Sequence, residues 1–176
     1  MAPKANKPAV EEEGTISLDF SGVKPFEPLD DKEIYSLRVT KMEPGKAKSG
    51  NHSDVVNVEF TILGPEEVKA MAWTINDDGI AAMTGGYMVD KDGAPVLTRA
   101  KDRKIFRTYS LETKALPFLH EFIKAADPKA VLDENFKFKP KTYEGLDVAA
   151  KVQNEGYNEQ IRARAQRILP ASAYKG

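Results

Sequence analysis

Two kinds of side chain that suit a polyanion recur together in this sequence. Arg103, Lys104 and Arg107 share one short run with Phe106 and Tyr109, and Arg162 and Arg164 follow closely on Tyr157. Lys46 and Lys48 lie in the Gly-flanked stretch EPGKAKSGNHS. Cations pair with phosphates and rings stack on bases, each stacked base being worth about 1–3 kcal/mol by alanine substitution. Groups for other chemistry are scarce. There is no cysteine, so disulfides and thiolate metal sites are excluded. His120 falls beside the apolar stripe of a helical pattern, and His52 with Asp54 is short of the three or four ligands a metal centre takes. The pairs Asp30–Asp31 and Asp77–Asp78 sit in turn-like sequence and suit turn chemistry rather than a two-metal centre. Neither a Gly-rich phosphate loop nor a nucleophile elbow is present. The expectation is a protein without catalysis, metal or cofactor.

The elements that must position these residues follow from periodicity. Ile34 to Met42 and Val55 to Leu63 alternate as strands, the second with Val56, Val58, Phe60 and Ile62 on one face. Arg103 to Tyr109 is a third strand, in which Lys104, Phe106 and Thr108 alternate with Ile105, Arg107 and Tyr109. At most one of the two rings then serves as a platform. Phe is commonly buried, which assigns Phe106 to the core and Tyr109 to stacking. After Ser110 the period lengthens, and Leu116, Leu119, Phe122, Ile123 and Ala126 form a helical stripe, with Thr113 placed to cap it and Pro117 near its start. Leu146 to Gln153 and Gln160 to Leu169 read as a closing hairpin around NEGYN. In its last strand Arg162 and Arg164 face away from Ile161, Ala163 and Ala165; arginines on an edge also discourage aggregation. Tyr157, at the hairpin tip, either stacks or packs down, and the Lys46–Lys48 loop either closes over a backbone or is simply solvated.

Around this frame lie residues of another character. Residues 1–14 carry no apolar period and read as a flexible arm, followed by a short strand over Thr15 to Phe20. Residues 64–102 read as a small insertion marked by the turns NDDG, TGG and DKDG, in which Trp73 and Tyr87 either anchor it to the barrel or form a lid, anchoring being the favoured role. The domain thus spans 15–170, with a tail over 171–176. Charge is segregated along the chain. Residues 99–126 have seven basic groups against three acidic, and 146–176 have five against three. Residues 1–34 have four against eight, and 64–98 two against six. Sign asymmetry on this scale is a hint of polyanion binding. No apolar run reaches membrane-spanning length and the N-terminus lacks a signal-peptide core, so a cytoplasmic protein is expected.

Three strands, one helix and a hairpin is the element order of the OB-fold, although other small α+β proteins share it. The expected fold is therefore mainly β with one helix, an OB-fold-like five-stranded barrel with an insertion between strands 2 and 3. The runs IYSLRVTKMEPGKAKSGNHSDVVNVEFTIL, RKIFRTYSLETKALPFLHEFIKAA, LDVAAKVQ, NEGYNEQIR and RILP together resemble a family of bacteriophage single-stranded DNA-binding proteins long catalogued as a domain of unknown function. The likeness covers roughly residues 34–63 and 103–170 and departs at 64–102, where a short connection is expected of the family. It implies sequence-independent binding of single-stranded DNA in phage replication or recombination, with phage or host replication proteins as further partners. The residues expected to carry it are Lys46, Lys48, Arg103, Lys104, Arg107, Tyr109, Tyr157, Arg162 and Arg164. The rival expectation is a non-catalytic OB-type protein-interaction or structural module.

Overall fold

The computed structural model describes residues 9–12 and 14–176. Where the sequence suggests a flexible arm, β1 (Ala9–Glu12) pairs antiparallel with β2 (Thr15–Ser17). Residues 1–8 and 13 of that arm lie outside the described residues. The strand expected to reach Phe20 ends at Ser17, and Ile16, Leu18 and Phe20 are all exposed.

Alternation builds the main sheet. In β3 (Tyr35–Lys46) the residues Tyr35, Leu37 and Val39 point inward, and an irregularity between Val39 and Lys41 passes the inward position to Met42. In β4 (Asp54–Gly64) Val56, Val58, Phe60 and Ile62 are buried. The chain then leaves the sheet for β5 (Glu67–Lys69), β6 (Met71–Ile75), β7 (Ala81–Tyr87) and β8 (Leu97–Arg99), in which β5 pairs with β8 and β6 with β7. It returns as β9 (Lys104–Ser110), continues into α1 (Leu116–Ala126), and ends with β10 (Asp147–Tyr157) and β11 (Gln160–Pro170). The last hairpin is longer than its sequence suggests. NEGY belongs to β10, and the turn is Asn158–Glu159, where Asn158 takes a positive φ of 53° that asparagine tolerates well.

Five of these strands close on themselves. β3 pairs with β4, β4 with β9, β10 with β11 and β10 with β3, all antiparallel, while β11 runs parallel to β9 through the single pair Arg164 and Phe106. The protein is thus mainly β, with one α-helix among the described residues. A 3-10 turn over Thr113–Ala115 leads into α1, so Ala115 rather than Thr113 stands at its N-cap, and Pro117 occupies the first turn. The helix closes off the interior with Leu119, Phe122 and Ile123. Phe122 is wholly buried, its ring 5.6 Å from Tyr109, 5.7 Å from Tyr143 and 6.2 Å from Phe60.

The excursion over 65–102 is tied down at several points. Met71 N–H donates to the Pro28 carbonyl, Trp73 Nε1 to the Glu27 carboxylate at 3.3 Å, and the Tyr87 hydroxyl to Asp30 at 3.2 Å. Ala81 N–H reaches the Asn158 carbonyl at 2.6 Å in the β10–β11 turn. There β7 comes so close that any side chain at Gly156 would run into the Ala81 carbonyl. Removing the ring at the centre of the core should have a large effect. Phe122→Ala is expected to lower the free energy of unfolding by about 3–5 kcal/mol, read from the midpoint of a urea titration.

Candidate nucleic-acid interface

Register decides which side chains of β9 meet solvent. Ile105 and Tyr109 point inward, at 1% and 2% exposure, and Phe106 points outward at 54%. The expected roles of the two rings are therefore exchanged. Tyr109 is a core residue against Phe122, and Phe106 is the exposed ring. The deciding signal is Ile105, an aliphatic group between Lys104 and Phe106, which fixes the inward parity that it shares with Tyr109.

Around Phe106 the outer surface of β4, β9 and β11 is polar and charged. Thr108 donates to the Asn57 amide oxygen at 2.8 Å, and Lys104 pairs with Glu59 at 3.3 Å. A shallow depression of about 290 Å³ lies on this surface, lined in part by Lys41, Asn57, Phe106 and Thr108. Across the parallel seam Arg164 stands level with Phe106, its guanidinium 3.2 Å from Glu155. Arg162, two residues earlier on the same strand, lies over the Tyr157 ring at 3.9 Å, and that ring is 52% exposed. A guanidinium over a tyrosine face gains from the ring quadrupole and holds both groups in place. Lys104, Tyr157, Arg162 and Arg164 are thus brought together, with Phe106 among them.

Other expected residues stand elsewhere or are engaged. Lys46 and Lys48 are at the far end of the same strands, since Lys46 pairs with Asp54 in register and Val55 with Ser110. Lys46 forms an ion pair with Asp54, whereas Lys48 is exposed and has no ion pair among the described residues. Arg103 does not join this surface. It is half-buried, donates to the carbonyls of Glu27 at 2.7 Å and Arg99 at 3.3 Å, and lies over Phe26. Burial lowers its pKa from the usual guanidinium value, against the opposing pull of Tyr35 and Glu27. It is a tether for the segment before β3. Arg107 borders the same depression, but its guanidinium is engaged at the seam, donating to the carbonyls of Ala165 at 3.0 Å and Gln166, with Tyr109 and Phe118 as ring neighbours. Phe106 and Lys41 are the residues of this surface that the sequence reading left out.

Among the described residues no group of three or more His, Cys, Asp or Glu is placed to hold a metal ion, and no helix is long and apolar enough to cross a membrane. Neither a family model nor a curated protein sequence matches this chain.

Tyr109 has one further consequence as a buried phenol. Burial pushes it and Tyr35 well above the ordinary tyrosine value, and Asp30 and Glu33 push Tyr35 further. The unfolded chain, with its phenols at their usual pKa, therefore loses these protons first. Stability is expected to hold up to about pH 10 and to fall as pH rises beyond it. Thermal unfolding followed across the alkaline range should show that decline, made shallower by Tyr109→Phe.

Proposed function

We propose that the outer surface of β4, β9 and β11 binds single-stranded DNA without sequence preference and without catalysis. Phe106 carries this reading. A large ring, 54% exposed in the middle of a sheet face, has no part in the core, and it sits between Lys104 and Arg164 with the Arg162–Tyr157 stack alongside. Stacking platforms between backbone-pairing cations are what a sequence-tolerant single-strand binder needs.

The strand order favours the same reading. In the closed ring the first strand pairs with the second and the fourth, the third pairs in parallel with the fifth, and the helix falls between the third and fourth. We read this as an OB-type barrel, whose second and third strands and two hairpin loops form the usual oligonucleotide surface. Here those strands are β4 and β9, and the loops are Ala47–Ser53 and the Asn158–Glu159 turn. The setting, taken from the resemblance of the strand and helix motifs, is phage DNA replication or recombination in the host cytoplasm. A second reading, a protein-interaction module, is favoured by one observation, the exposed apolar series Ile16, Leu18, Phe20, Val23 and Phe26 ahead of the sheet.

Titration with labelled oligo-dT separates the two. With about four phosphates neutralised, the log–log dependence of affinity on salt should have a slope near −3. Phe106→Ala should weaken binding by about 1–3 kcal/mol while leaving the unfolding midpoint in place. The double change Arg162→Glu/Arg164→Glu should weaken it further. Salt-independent affinity that is indifferent to all three residues would leave the interaction module as the better account.

A further inference from the structure

On the flank of the ring, between α1 and β11, lies a cleft of about 300 Å³. Three arginines line it, Arg107, Arg164 and Arg167, with the amides of Gln153 and Gln166, and Glu121 is its one carboxylate. A second observation adds to this charge. Lys151 is the direct cross-strand partner of Arg167 in the β10–β11 pair, and neither has an ion pair among the described residues. Like charges directly opposite one another destabilise a sheet unless an anion lies between or beside them. Arg107 is already immobilised by two main-chain carbonyls, so whatever donors it has left are presented at little entropic cost.

The chemistry of the cleft is that of a phosphate site. Guanidiniums give paired N–H donors to phosphate oxygens, and the glutamine amides can donate to the same group. The volume is at the lower end for small-ligand sites, about 300 Å³, enough for a phosphate with its sugar. Arg164 belongs both to this cleft and to the surface beside Phe106. We infer that the cleft takes a backbone phosphate of the strand bound on the outer surface, so that the strand bends past Arg164 and continues over the flank of β11 to Arg167 and Lys151. This inference rests on the single-strand reading and extends its path around the seam.

The test uses the full chain and oligo-dT of two lengths, about 5 and about 15 nucleotides, followed by fluorescence anisotropy. Arg167 is exposed and has no ion pair among the described residues, so its replacement does not threaten the fold. Arg167→Ala is expected to weaken the long oligonucleotide about tenfold, to make its salt slope shallower by about 0.7, and to leave the short one unchanged. Arg167→Lys should recover most of the loss, and Phe106→Ala should weaken both lengths. If the wild type binds both lengths and Arg167→Ala changes neither, or changes both equally, the flank path is wrong while the sheet-face reading stands. If the wild type binds neither, both are wrong. Calorimetric titration with inorganic phosphate and with dTMP distinguishes a free ligand from a strand. Binding of either that is lost in Arg167→Ala, with the long oligonucleotide unaffected, would assign the cleft to a free phosphate compound and overturn the strand path.

Discussion

Closure of the sheet depends on the parallel seam between β9 and β11, and that seam is thin. Every other junction of the ring has a ladder of paired residues, but here only Arg164 and Phe106 are in register. An irregularity between Lys151 and Val152 leaves Gln166 as an extra residue on β11, and it is the carbonyls of Ala165 and Gln166 that the Arg107 guanidinium takes up. Bulges of this kind bend a strand and interrupt its ladder. An unpaired carbonyl in a partly buried seam costs free energy, and a charged donor satisfies it more strongly than a neutral one. Arg107 thus supplies from a side chain what the main chain of β9 does not, with Tyr109 and Phe118 limiting the directions it can take. The outer surface, the flank cleft and the core all meet at this one residue.

The charge on the outer surface is less free than composition suggests. Lys104 is paired with Glu59, Arg164 with Glu155 and Lys41 with Glu43, and at the far end of the strands Lys46 with Asp54. Exposed pairs of this sort contribute at most about 1 kcal/mol each to stability, so they are easily exchanged. A phosphate arriving at one of them must displace a carboxylate, and the gain is the difference between two attractions rather than a whole one. Lys48, Arg162 and Arg167 have no such partner among the described residues and would offer a phosphate more per contact. On the proposed reading the rings of Phe106 and Tyr157 would supply the part of the affinity that no internal carboxylate competes for.

The strands of the ring, the helix and the final hairpin were legible in the sequence because each buries one face, and burial leaves a period of two or of three to four. Leu37 and Val39, Val58 and Phe60, Leu119 and Phe122 are such positions. What escaped were choices that periodicity leaves open. On β9 both faces carry a ring and a cation, so the general tendency of phenylalanine to be buried pointed the wrong way, and only Ile105 breaks the tie. Arg103 looks like its neighbours in sequence, yet its shorter bond is to the Glu27 carbonyl, in an irregular segment some seventy residues earlier that no local pattern reveals. Arg107 is turned to the seam by a bulge in β11, some sixty residues further along the chain. The like-charged pair Lys151 and Arg167 exists only once the hairpin register is known.

The excursion between β4 and β9 is held so that it leaves the ring intact. Ile62 N–H donates to the Arg103 carbonyl and Asp102 N–H to the Ile62 carbonyl, so the chain returns beside the point where it departed. From there β4 and β9 pair without interruption from Thr61 and Lys104 to Val55 and Ser110. Because the entropy of closing a loop grows slowly with its length, such a segment adds little strain to the strands it joins. Its anchors have a direction, however. Trp73 and Tyr87 bind the segment before β3, which Arg103 also grips from the start of β9, and β7 rests on the β10–β11 turn where Gly156 admits it. The turn that carries Tyr157 is therefore braced from outside the ring. A ring at a free hairpin tip would lose mobility on each encounter with a ligand, and here that ordering is already done by contacts that the bare five-stranded frame does not contain.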